Sequence, residues 1–242
     1  MTKRNRPLTT LFMLMSVDGK ISTGKSDVLD FDKDFPKIEG LKEGLQQYYD
    51  IEQTTDLFSL NSGKVQAKIG ANEKRESIRK LPVSFLIIDN KPHLNDVGVD
   101  NFIRKSKKLF IITTNKNHPA FARKEENLEI IYYENEINFE ELFVRLKQSY
   151  NINNITVQTG GNLNAVFLRK KLIDRLSVVV APALIGGIET PSLIDGISLL
   201  SPDELKYIKA LKLVDVKKLD NSYIHLLYDV VNDTAIKNMT MR

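Results

Sequence analysis

A run of residues typical of a strand, followed by a glycine pair and a helix, is the feature of this sequence that most clearly predicts ligand binding. Residues 155–158 form the run, Gly160 and Gly161 follow, and an amphipathic segment begins at Asn162. Glycines let the backbone approach a ligand closely, and the free N–H groups at a helix N-terminus favour an anion. The pattern predicts either a pyrophosphate cradle or an ordinary turn, because the third glycine and the acidic follower of the usual dinucleotide fingerprint are missing.

Two further turns follow predicted strands. Residues 8–15 lead into a compact polar turn that contains Asp18, and residues 175–181 lead into Pro182 and a second glycine pair, Gly186-Gly187. Open α/β sheets bind ligands at the carboxyl ends of their strands. Each turn can therefore line a ligand site or merely reverse the chain, and the residues alone leave both interpretations open.

The composition excludes several kinds of chemistry. The chain of 242 residues has no cysteine, which removes disulfides, thiolate metal sites, iron–sulfur clusters and cysteine nucleophiles. The three histidines, His93, His118 and His225, are far apart and show no metal-binding spacing, so no metal site is predicted. Any redox reaction would therefore depend on a bound cofactor.

Charge and hydropathy argue against nucleic-acid and membrane partners. The net charge of +4 comes from scattered residues, with one short basic group of Lys3, Arg4 and Arg6, whereas nucleic-acid binding usually needs a clustered basic face. No run approaches the ~20 apolar residues of a membrane-spanning helix, and no apolar signal core follows the basic start. We expect a cytoplasmic protein whose partner is a small molecule.

The elements that must position these turns alternate in type along the chain. Short β-branched runs separated by longer amphipathic segments predict an α/β fold with a mainly parallel sheet. Continuous hydrophobicity in residues 83–88 and 109–112 predicts central strands that are covered on both faces. The predicted strands are residues 8–15, 55–60, 83–89, 108–113, 129–132, 155–158 and 175–181.

Helices are predicted between these strands, and the chain changes character near its end. The predicted helices are within residues 34–50, near 101–107, and at 138–150 and 162–171. Two strand-like runs, 208–219 and 222–230, flank the turn-forming pair Asp220-Asn221 and predict an antiparallel hairpin that closes the sheet. We expect a single domain over residues 1–231 and a polar tail or short terminal element over 232–242.

In chain order, the three turns are the one that contains Asp18, the one at Gly160-Gly161 and the one at Pro182 to Gly187. Together they resemble the C-terminal reductase domain of the bifunctional riboflavin biosynthesis deaminase-reductase, a member of the dihydrofolate-reductase-like superfamily. The similarity spans most of the chain. Its most specific part runs from Gly160-Gly161 through residues 163–175 to Ala181-Pro182 and residues 185–187, and residues 16–21, 24–26 and 87–89 add to it. The resemblance implies a three-layer sandwich with a mainly parallel central sheet of about eight strands, a homodimer, and hydride transfer from NADPH to a pyrimidine-linked ribose phosphate.

The resemblance also implies which residues bind ligands. By position, the cofactor contacts would be Met15, Asn90, Gly160, Gly161, Asn162, Leu163, Asn164, Ala165 and Val166. The substrate contacts would be Ser26, Asn72 and Arg75, with Arg75 facing a substrate phosphate, because a guanidinium can bind two oxygens at once.

The sequence departs from the family where the substrate and the chemistry should be. The family's lysine in the first strand is Phe12 here, its threonine and aspartate after the second strand are Lys64 and Lys68, and its glutamate before the glycine pair is Gln158. These exchanges remove titratable groups or reverse their charge. Hydride transfer needs no protein acid, since the cofactor supplies the reactive carbon. We therefore keep Asp18, Lys64, Lys68 and Gln158 as candidate catalytic residues that orient or protonate a substrate.

Three functions follow from these observations. The first is an NADPH-dependent reductase of a small heterocyclic substrate, which would carry a phosphate if it is like 5-amino-6-(5-phosphoribosylamino)uracil. The second is a non-catalytic NADPH-binding protein, which the exchanged carboxylates favour. The third is a dihydrofolate or pteridine reductase, although no acidic residue suited to a pterin is obvious between Phe31 and Leu45.

Overall fold

The computed structural model describes residues 4–233 and 236. Within them, nine strands form one sheet in the order β5-β4-β3-β2-β6-β1-β7-β9-β8. The strands are β1 (Leu8–Ser16), β2 (Phe58–Ser62), β3 (Ser84–Ile88), β4 (Leu109–Thr113), β5 (Leu128–Tyr132), β6 (Asn154–Gln158), β7 (Arg175–Ala181), β8 (Ala210–Lys218) and β9 (Ile224–Val231).

The strand directions confirm the predicted sheet. Strands β1 to β7 pair in parallel, whereas β9 is antiparallel to both β7 and β8. The turn between β8 and β9 is a single 3-10 turn at Asp220–Ser222, where Asn221 adopts a left-handed conformation with φ of 53°. Asparagine tolerates this conformation better than most residues, so the predicted turn pair is where the chain reverses.

Six helices lie among the strands of the described residues: α1 (Phe31–Asp34), α2 (Lys42–Glu52), α3 (Gly63–Lys68), α4 (Asp96–Lys105), α5 (Phe139–Tyr150) and α6 (Gly161–Arg169). Polar caps fix several of their starts. The side chain of Asn95 accepts a hydrogen bond from the Gly98 N–H at the start of α4, and Asn138 does the same for Glu141 in α5. Helix α6 has Gly160 at its N-cap position and therefore no side-chain cap.

One face of the sheet is covered by a continuous apolar core. Alternate residues of β1, β2, β3, β4, β5 and β6 pack there against α5 and α6, with Leu142, Phe143, Leu146 and Phe167 fully buried at the centre. The period of two along a strand sends the intervening residues to the other face.

The opposite face has two separate apolar clusters. One packs α1 and α2 on β1 and β7 around Phe12, Phe35 and Tyr223, and the other packs α4 on β3 and β4 around Val99 and Phe102. Between them, the residues that β2 and β6 send to this face are polar. The sheet, with helices on both faces, therefore has the predicted three layers, and one of these layers has a gap.

Several predictions need correction. The runs at 83–88 and 109–112 contain β3 and β4, whose residues are all buried, as predicted, but β4 lies next to the edge strand β5 and is not central. Burial on both faces depends on helix cover, which extends almost to this edge. Strand β2 begins at Phe58 and not at residue 55, because Thr54 and Thr55 bond through their hydroxyls to carbonyls of α2.

Three helices also differ from their predictions. Helix α4 begins at Asp96, well before residue 101, because Asn95 caps it. The short helices α1 and α3 were not predicted, although Asp30 caps the start of α1 and Ser62 caps the start of α3. The predicted tail lies almost entirely outside the described residues. In the part of the chain that is described, no helix is both long and apolar enough to span a bilayer.

Candidate functional site

A cleft of about 770 Å³ opens at the carboxyl edge of the parallel strands and continues into the gap between α2 and α4. Its floor is polar because β2 and β6 alternate: Leu60 and Val157 face the continuous core, while Ser59, Asn61 and Gln158 face the cleft. Asn61 pairs with Gln158 in the sheet register. Strand alternation thus places three side chains with donors and acceptors on one surface.

These floor residues form a directed chain of hydrogen bonds. Gln66 donates to Asn61 over 3.0 Å, Asn61 donates to Ser59 over 2.8 Å, and the Ser59 hydroxyl donates to Oε1 of Gln158 over 3.1 Å. Nε2 of Gln158 then donates to Oε1 of Glu52 on α2 over 2.5 Å. The chain therefore fixes the orientation of the Gln158 amide and ends on a carboxylate.

Glu52 lies at the end of α2, beside Tyr48 and Tyr49, and all three residues line the cleft. Burial raises the pKa of Glu52, and the nearby carboxylate of Asp32 adds to this effect, although the bond from Gln158 opposes it. Burial also raises the pKa of Tyr48. Carboxyl groups with raised pKa values in a cleft are typical of functional sites.

Two of the candidate catalytic residues are lysines of α3, and both line the cleft in ion pairs. Lys68 Nζ lies 2.9 Å from Oδ2 of Asp30 and donates to Ser22 over 3.1 Å, and both charged side chains are largely shielded from solvent. Lys64 lies 3.9 Å from Asp27, and both of those side chains are exposed. Lys64 is therefore freer than Lys68 to contact a ligand.

A third cation, Lys105 at the end of α4, lines the same cleft. Its ammonium group lies 4.9 Å from the ring centre of Phe85. Burial lowers the pKa of Lys105, and the neighbouring charge of Arg75 lowers it further, whereas Glu52 raises it. Within residues 4–233 and 236, no carboxylate lies within ion-pair distance of this ammonium group, so it can take an anionic ligand.

The glycine pair forms the other end of the cleft. A Cβ at Gly161 would lie 2.2 Å from the backbone oxygen of Ser192, so this position requires glycine, whereas a Cβ at Gly160 would meet nothing within 4 Å. The carbonyl of Gly161 also accepts a hydrogen bond from Asp195 N–H over 3.0 Å. The first turn of α6 is thus held against the loop 191–195 and faces the cleft, which suits the approach of a phosphate group.

Four of the predicted cofactor residues at this helix line the cleft, namely Gly160, Gly161, Asn162 and Leu163, and Asn90 lines it from the end of β3. Asn164, Ala165 and Val166 do not line it. The side chain of Asn164 is buried, where it accepts from Thr159 over 2.6 Å and donates to the Leu193 carbonyl over 2.9 Å. A helix presents only its first turn to a ligand at its N-terminus, so these residues lie behind the contact surface.

Asn90 is held by the loop around it. Its side-chain oxygen accepts a hydrogen bond from Thr114 N–H over 3.1 Å, and the next residue, Lys91, also lines the cleft. Asp89 is fully buried, and although burial opposes its ionisation, bonds from His118, Leu94 and His93 together lower its pKa. The buried carboxylate thus organises the loop that carries Asn90 and Lys91.

Asp18 does not line the cleft. Its carboxylate accepts hydrogen bonds from Ser16, over 2.5 Å, and from the N–H groups of Ile185 and Gly186, over 3.2 and 2.7 Å. The bond from the Ser16 hydroxyl, with those from the backbone, lowers the pKa of Asp18 to about 2. Asp18, a candidate catalytic residue, therefore connects the turn after β1 to the turn after β7.

Three predicted substrate residues and Met15 also lie outside the lining. The side chain of Asn72 bonds to the backbone of residues 93 and 95. Arg75 lines a separate surface cavity of about 430 Å³, although its charge acts on Lys105. Ser26 follows Lys25, which does line the cleft, but it is not itself part of the wall.

The cleft has an acidic wall that the sequence did not predict. Asp32 lies within residues 31–45, where the sequence shows no obvious acid suited to a pterin, and Glu52 lies beyond this range, yet both line the cleft. Tyr49 donates to Asp32 over 2.6 Å. A signal was present in β2 and β6, because their polar residues alternate with apolar ones and so predict a polar surface on one face of the sheet.

The basic residues near the N-terminus are also explained. Arg4 and Arg6 each lie 2.7 Å from Oδ2 of Asp174, the residue before β7. These two charges therefore anchor the entry to β1, and Lys3 lies outside the described residues.

The fold and the site together define a class. A mainly parallel α/β sheet with a glycine-rich strand-to-helix turn beside a polar cleft is the architecture of proteins that bind a phosphate-bearing ligand at the strand carboxyl ends. The sequence profile of the RibD C-terminal domain matches residues 66–225. This match covers well over half of the chain, so the chain belongs to the RibD C-terminal domain family.

Known relatives agree with this assignment. The riboflavin biosynthesis protein RibD of Buchnera aphidicola is 23% identical over 193 residues, which are 76% of this chain and 50% of that protein. RibD of Acinetobacter baumannii has a similar structure, with a TM-score of 0.65 at 17% identity over 94% of this chain and 59% of that one. The riboflavin biosynthesis reductase Rib7 of Saccharomyces cerevisiae has a TM-score of 0.59 at 16% identity, with 96% and 93% covered.

The similarity covers part of the curated relative and the fold of the solved structures. The chain spans about half the length of the curated relative it matches. The structural matches, all of low sequence identity, show that the fold is shared. They support the predicted fold class, with nine strands where the resemblance implied about eight.

Proposed function

We propose that the protein is a reductase that uses NADPH to reduce a small heterocyclic substrate of the type 5-amino-6-(5-phosphoribosylamino)uracil. The observation that carries the proposal is the continuity of the cleft, which joins the glycine turn at Gly160 to the polar floor at Gln158. A reductase must hold a cofactor and a substrate in contact, and a single cleft with two chemically different ends meets this requirement.

The cofactor would occupy the end formed by α6 and the β3 loop. The N–H groups of the first turn of α6 are suited to the pyrophosphate, and the close packing that Gly161 permits gives this turn its position. Lys91 and Asn90 lie at the same end, where an ammonium group and an amide can bind the 2′-phosphate that distinguishes NADPH from NADH. When bound, NADPH supplies the hydride.

The substrate would occupy the end between α2 and α4. Lys105, with Arg75 near it, gives this end a positive side suited to a phosphate group. Lys64 is a second exposed cation. In the proposed reaction the hydride adds to C1′ of the ribose, the C1′–O4′ ring bond breaks, and O4′ takes up a proton. Lys64 is the lysine proposed to deliver this proton, because Lys68 is paired with Asp30.

Family membership does not favour the two other functions considered. A relative in the same fold group is described as a pyrimidine reductase-like protein of Corynebacterium diphtheriae, with a TM-score of 0.60 at 14% identity over 95% of this chain and 94% of that one. A non-catalytic protein would bind NADPH without oxidising it, and a dihydrofolate reductase would turn over dihydrofolate. Both outcomes are measurable in the same assay.

The assay follows the oxidation of NADPH by its absorbance while 5-amino-6-(5-phosphoribosylamino)uracil is added to the purified protein. The proposal predicts oxidation that depends on the substrate and exceeds that seen with dihydrofolate. NADPH binding without oxidation would contradict the reductase and support the non-catalytic alternative. Oxidation with dihydrofolate alone would support the third function.

We also propose that the protein is a homodimer. Strand β8 ends the sheet, and its apolar side chains are exposed on both faces; Leu213 and Val216 are each about half exposed. An edge strand with such side chains is a site for association. Light scattering should give twice the chain mass, and Val216→Asp should reduce it to one chain mass, whereas a monomeric unaltered protein would contradict the proposal.

A further inference from the structure

Glu52 is the strongest unassigned group in the cleft. It lies on α2 and not at the strand end where the resemblance places a glutamate, and it is bound there by Gln158, the residue that replaces that glutamate. The chain of hydrogen bonds from Gln66 through Asn61 and Ser59 uses the Gln158 carbonyl oxygen as an acceptor and directs its amide nitrogen at Glu52.

The two oxygens of Glu52 have different surroundings. Oε1 accepts the 2.5 Å bond from Gln158. Among the described residues, no backbone or side-chain group donates to Oε2, although Glu52 lines the cleft. A carboxylate with one anchored oxygen and one oxygen that is open to the cleft can accept N–H donors from a ligand, and hydrogen bonds to a charged group are stronger than those between neutral groups.

We infer that Glu52 is the residue that recognises the N–H donors of the substrate's heterocycle, and that Gln158 is the residue that positions it. The inference rests on the proposed function, since it names the chemistry that the substrate end of the cleft accepts. The ligand class is a flat ring with adjacent amino or imide N–H groups, such as an aminopyrimidine. Tyr48, stacked on Phe12 with ring centres 5.1 Å apart, gives the same wall an aromatic surface.

The charges around Glu52 determine how this recognition depends on pH. Asp32 of α1 disfavours its ionisation, Lys105 of α4 favours it, and burial raises its pKa overall. Tyr48 and Tyr49 of α2 stay neutral at ordinary pH, since burial raises their pKa values as well. Only the ionised carboxylate accepts N–H donors at both oxygens, so binding should weaken as the pH falls through the raised pKa.

The test is calorimetric titration with 5,6-diaminouracil, in the presence and absence of NADPH. The variants are Glu52→Gln, the exchange Glu52→Gln with Gln158→Glu, and the control Glu39→Gln, which alters an exposed acid outside the cleft. Removing the carboxylate should weaken binding about tenfold to a hundredfold, as expected for a bond to a charged group. The double variant, Glu52→Gln with Gln158→Glu, should restore most of the affinity, because one of the two hydrogen-bonded positions, 52 and 158, again carries a carboxylate.

Three observations would overturn the inference. Glu52→Gln could bind diaminouracil as tightly as the unaltered protein, the affinity of the unaltered protein could be independent of pH, or diaminouracil could fail to bind at all. A control titration with 1,3-dimethyluracil, which lacks N–H donors, should give the same affinity for Glu52→Gln as for the unaltered protein. Failure of NADPH binding, measured separately, would instead contradict the proposed function, because the titration without NADPH still tests Glu52.

Discussion

The two faces of the sheet differ in character: one carries a continuous apolar core and the other carries the polar cleft. On the face covered by α5 and α6, apolar residues of six strands form one uninterrupted core around Phe143 and Phe167. On the opposite face the apolar residues separate into two clusters, and Ser59, Asn61 and Gln158 lie between them. The same strands, β2 and β6, contribute apolar residues to the first face and polar residues to the second.

This difference shows where stability and function are located. The closed face supplies most of the burial that holds the sheet together, so the open face can keep polar groups in a cleft. Buried polar groups cost free energy unless they are bonded, and here a chain of hydrogen bonds satisfies them. Changes on the closed face should therefore alter the free energy of unfolding, and changes on the open face should alter ligand binding.

The largest effect is predicted on the closed face. Phe143→Ala removes a fully buried ring and should lower the free energy of unfolding by about 3–5 kcal/mol, as for other large-to-small core substitutions. Urea denaturation would measure this loss. At a protein concentration and temperature where the variant is folded, its NADPH affinity should be near that of the unaltered protein. A large loss of NADPH affinity in the folded variant would contradict the account in which one face determines stability and the other determines ligand binding.

The second prediction concerns the glycine pair. Gly161→Ala places a methyl group against the Ser192 carbonyl, so the loop 191–195 must move and the first turn of α6 loses its support. NADPH affinity should fall at least tenfold, which corresponds to about 1.4 kcal/mol. Fluorescence titration would measure it. Gly160→Ala is the matched control for folding, because its φ of −74° suits alanine and the space around it is open.

A thermal stability for Gly160→Ala close to that of the unaltered protein would confirm that the effect at Gly161 comes from the clash. Equal NADPH affinity in Gly161→Ala and the unaltered protein would mean that this turn does not hold the cofactor.

A smaller effect is predicted at Glu52. Because its pKa is raised in the folded protein, the folded state binds the proton more tightly than the unfolded state, and stability is lost as the pH rises through the interval between the two pKa values. Glu52→Gln should therefore be slightly more stable than the unaltered protein at neutral pH. Thermal unfolding across a pH series would show the difference disappearing in acid. A variant that is less stable at neutral pH would contradict this account of the carboxylate.

The smallest effect is predicted at Lys105. Lys105→Met keeps a long apolar stem over Phe85 but removes the charge. The KM for the phosphorylated substrate should rise severalfold, with little change in kcat, and the rise should be smaller at high salt. Steady-state kinetics at two ionic strengths would measure it. An unchanged KM would place the substrate phosphate elsewhere, for example at Lys64.

Much of the fold could be predicted from the sequence, because strands carry a strong local signal. All nine strands were predicted, and the mainly parallel strand direction and the final hairpin followed from the alternation of elements and from Asp220-Asn221. The position of β4 beside the edge could not be predicted, since burial on both faces reports helix cover and not strand order. Helix α3 was missed because its six residues are too few to show a period.

The site was predicted less completely. The glycine turn has a local signature, so the sequence predicts Gly160 to Leu163, which line the cleft. Glu52 was not predicted, because it lies more than a hundred residues from Gln158 in the chain and meets it only through the packing of α2 on β1 and β7, next to β6. Conversely, the sequence predicts Asp18 as a catalytic candidate, yet its carboxylate accepts a hydrogen bond from Gly186 in the turn after β7. Contacts of this range depend on tertiary structure and leave no local pattern.

The most direct test of the central claim is a titration of the purified protein with NADPH and with NADH, followed by cofactor fluorescence, and repeated with Gly161→Ala. We predict saturable binding of NADPH, weaker binding of NADH, and a loss of affinity for NADPH in the variant. If neither cofactor binds to the unaltered protein, the glycine turn is only a structural turn, and the assignment of this cleft to a reductase is wrong.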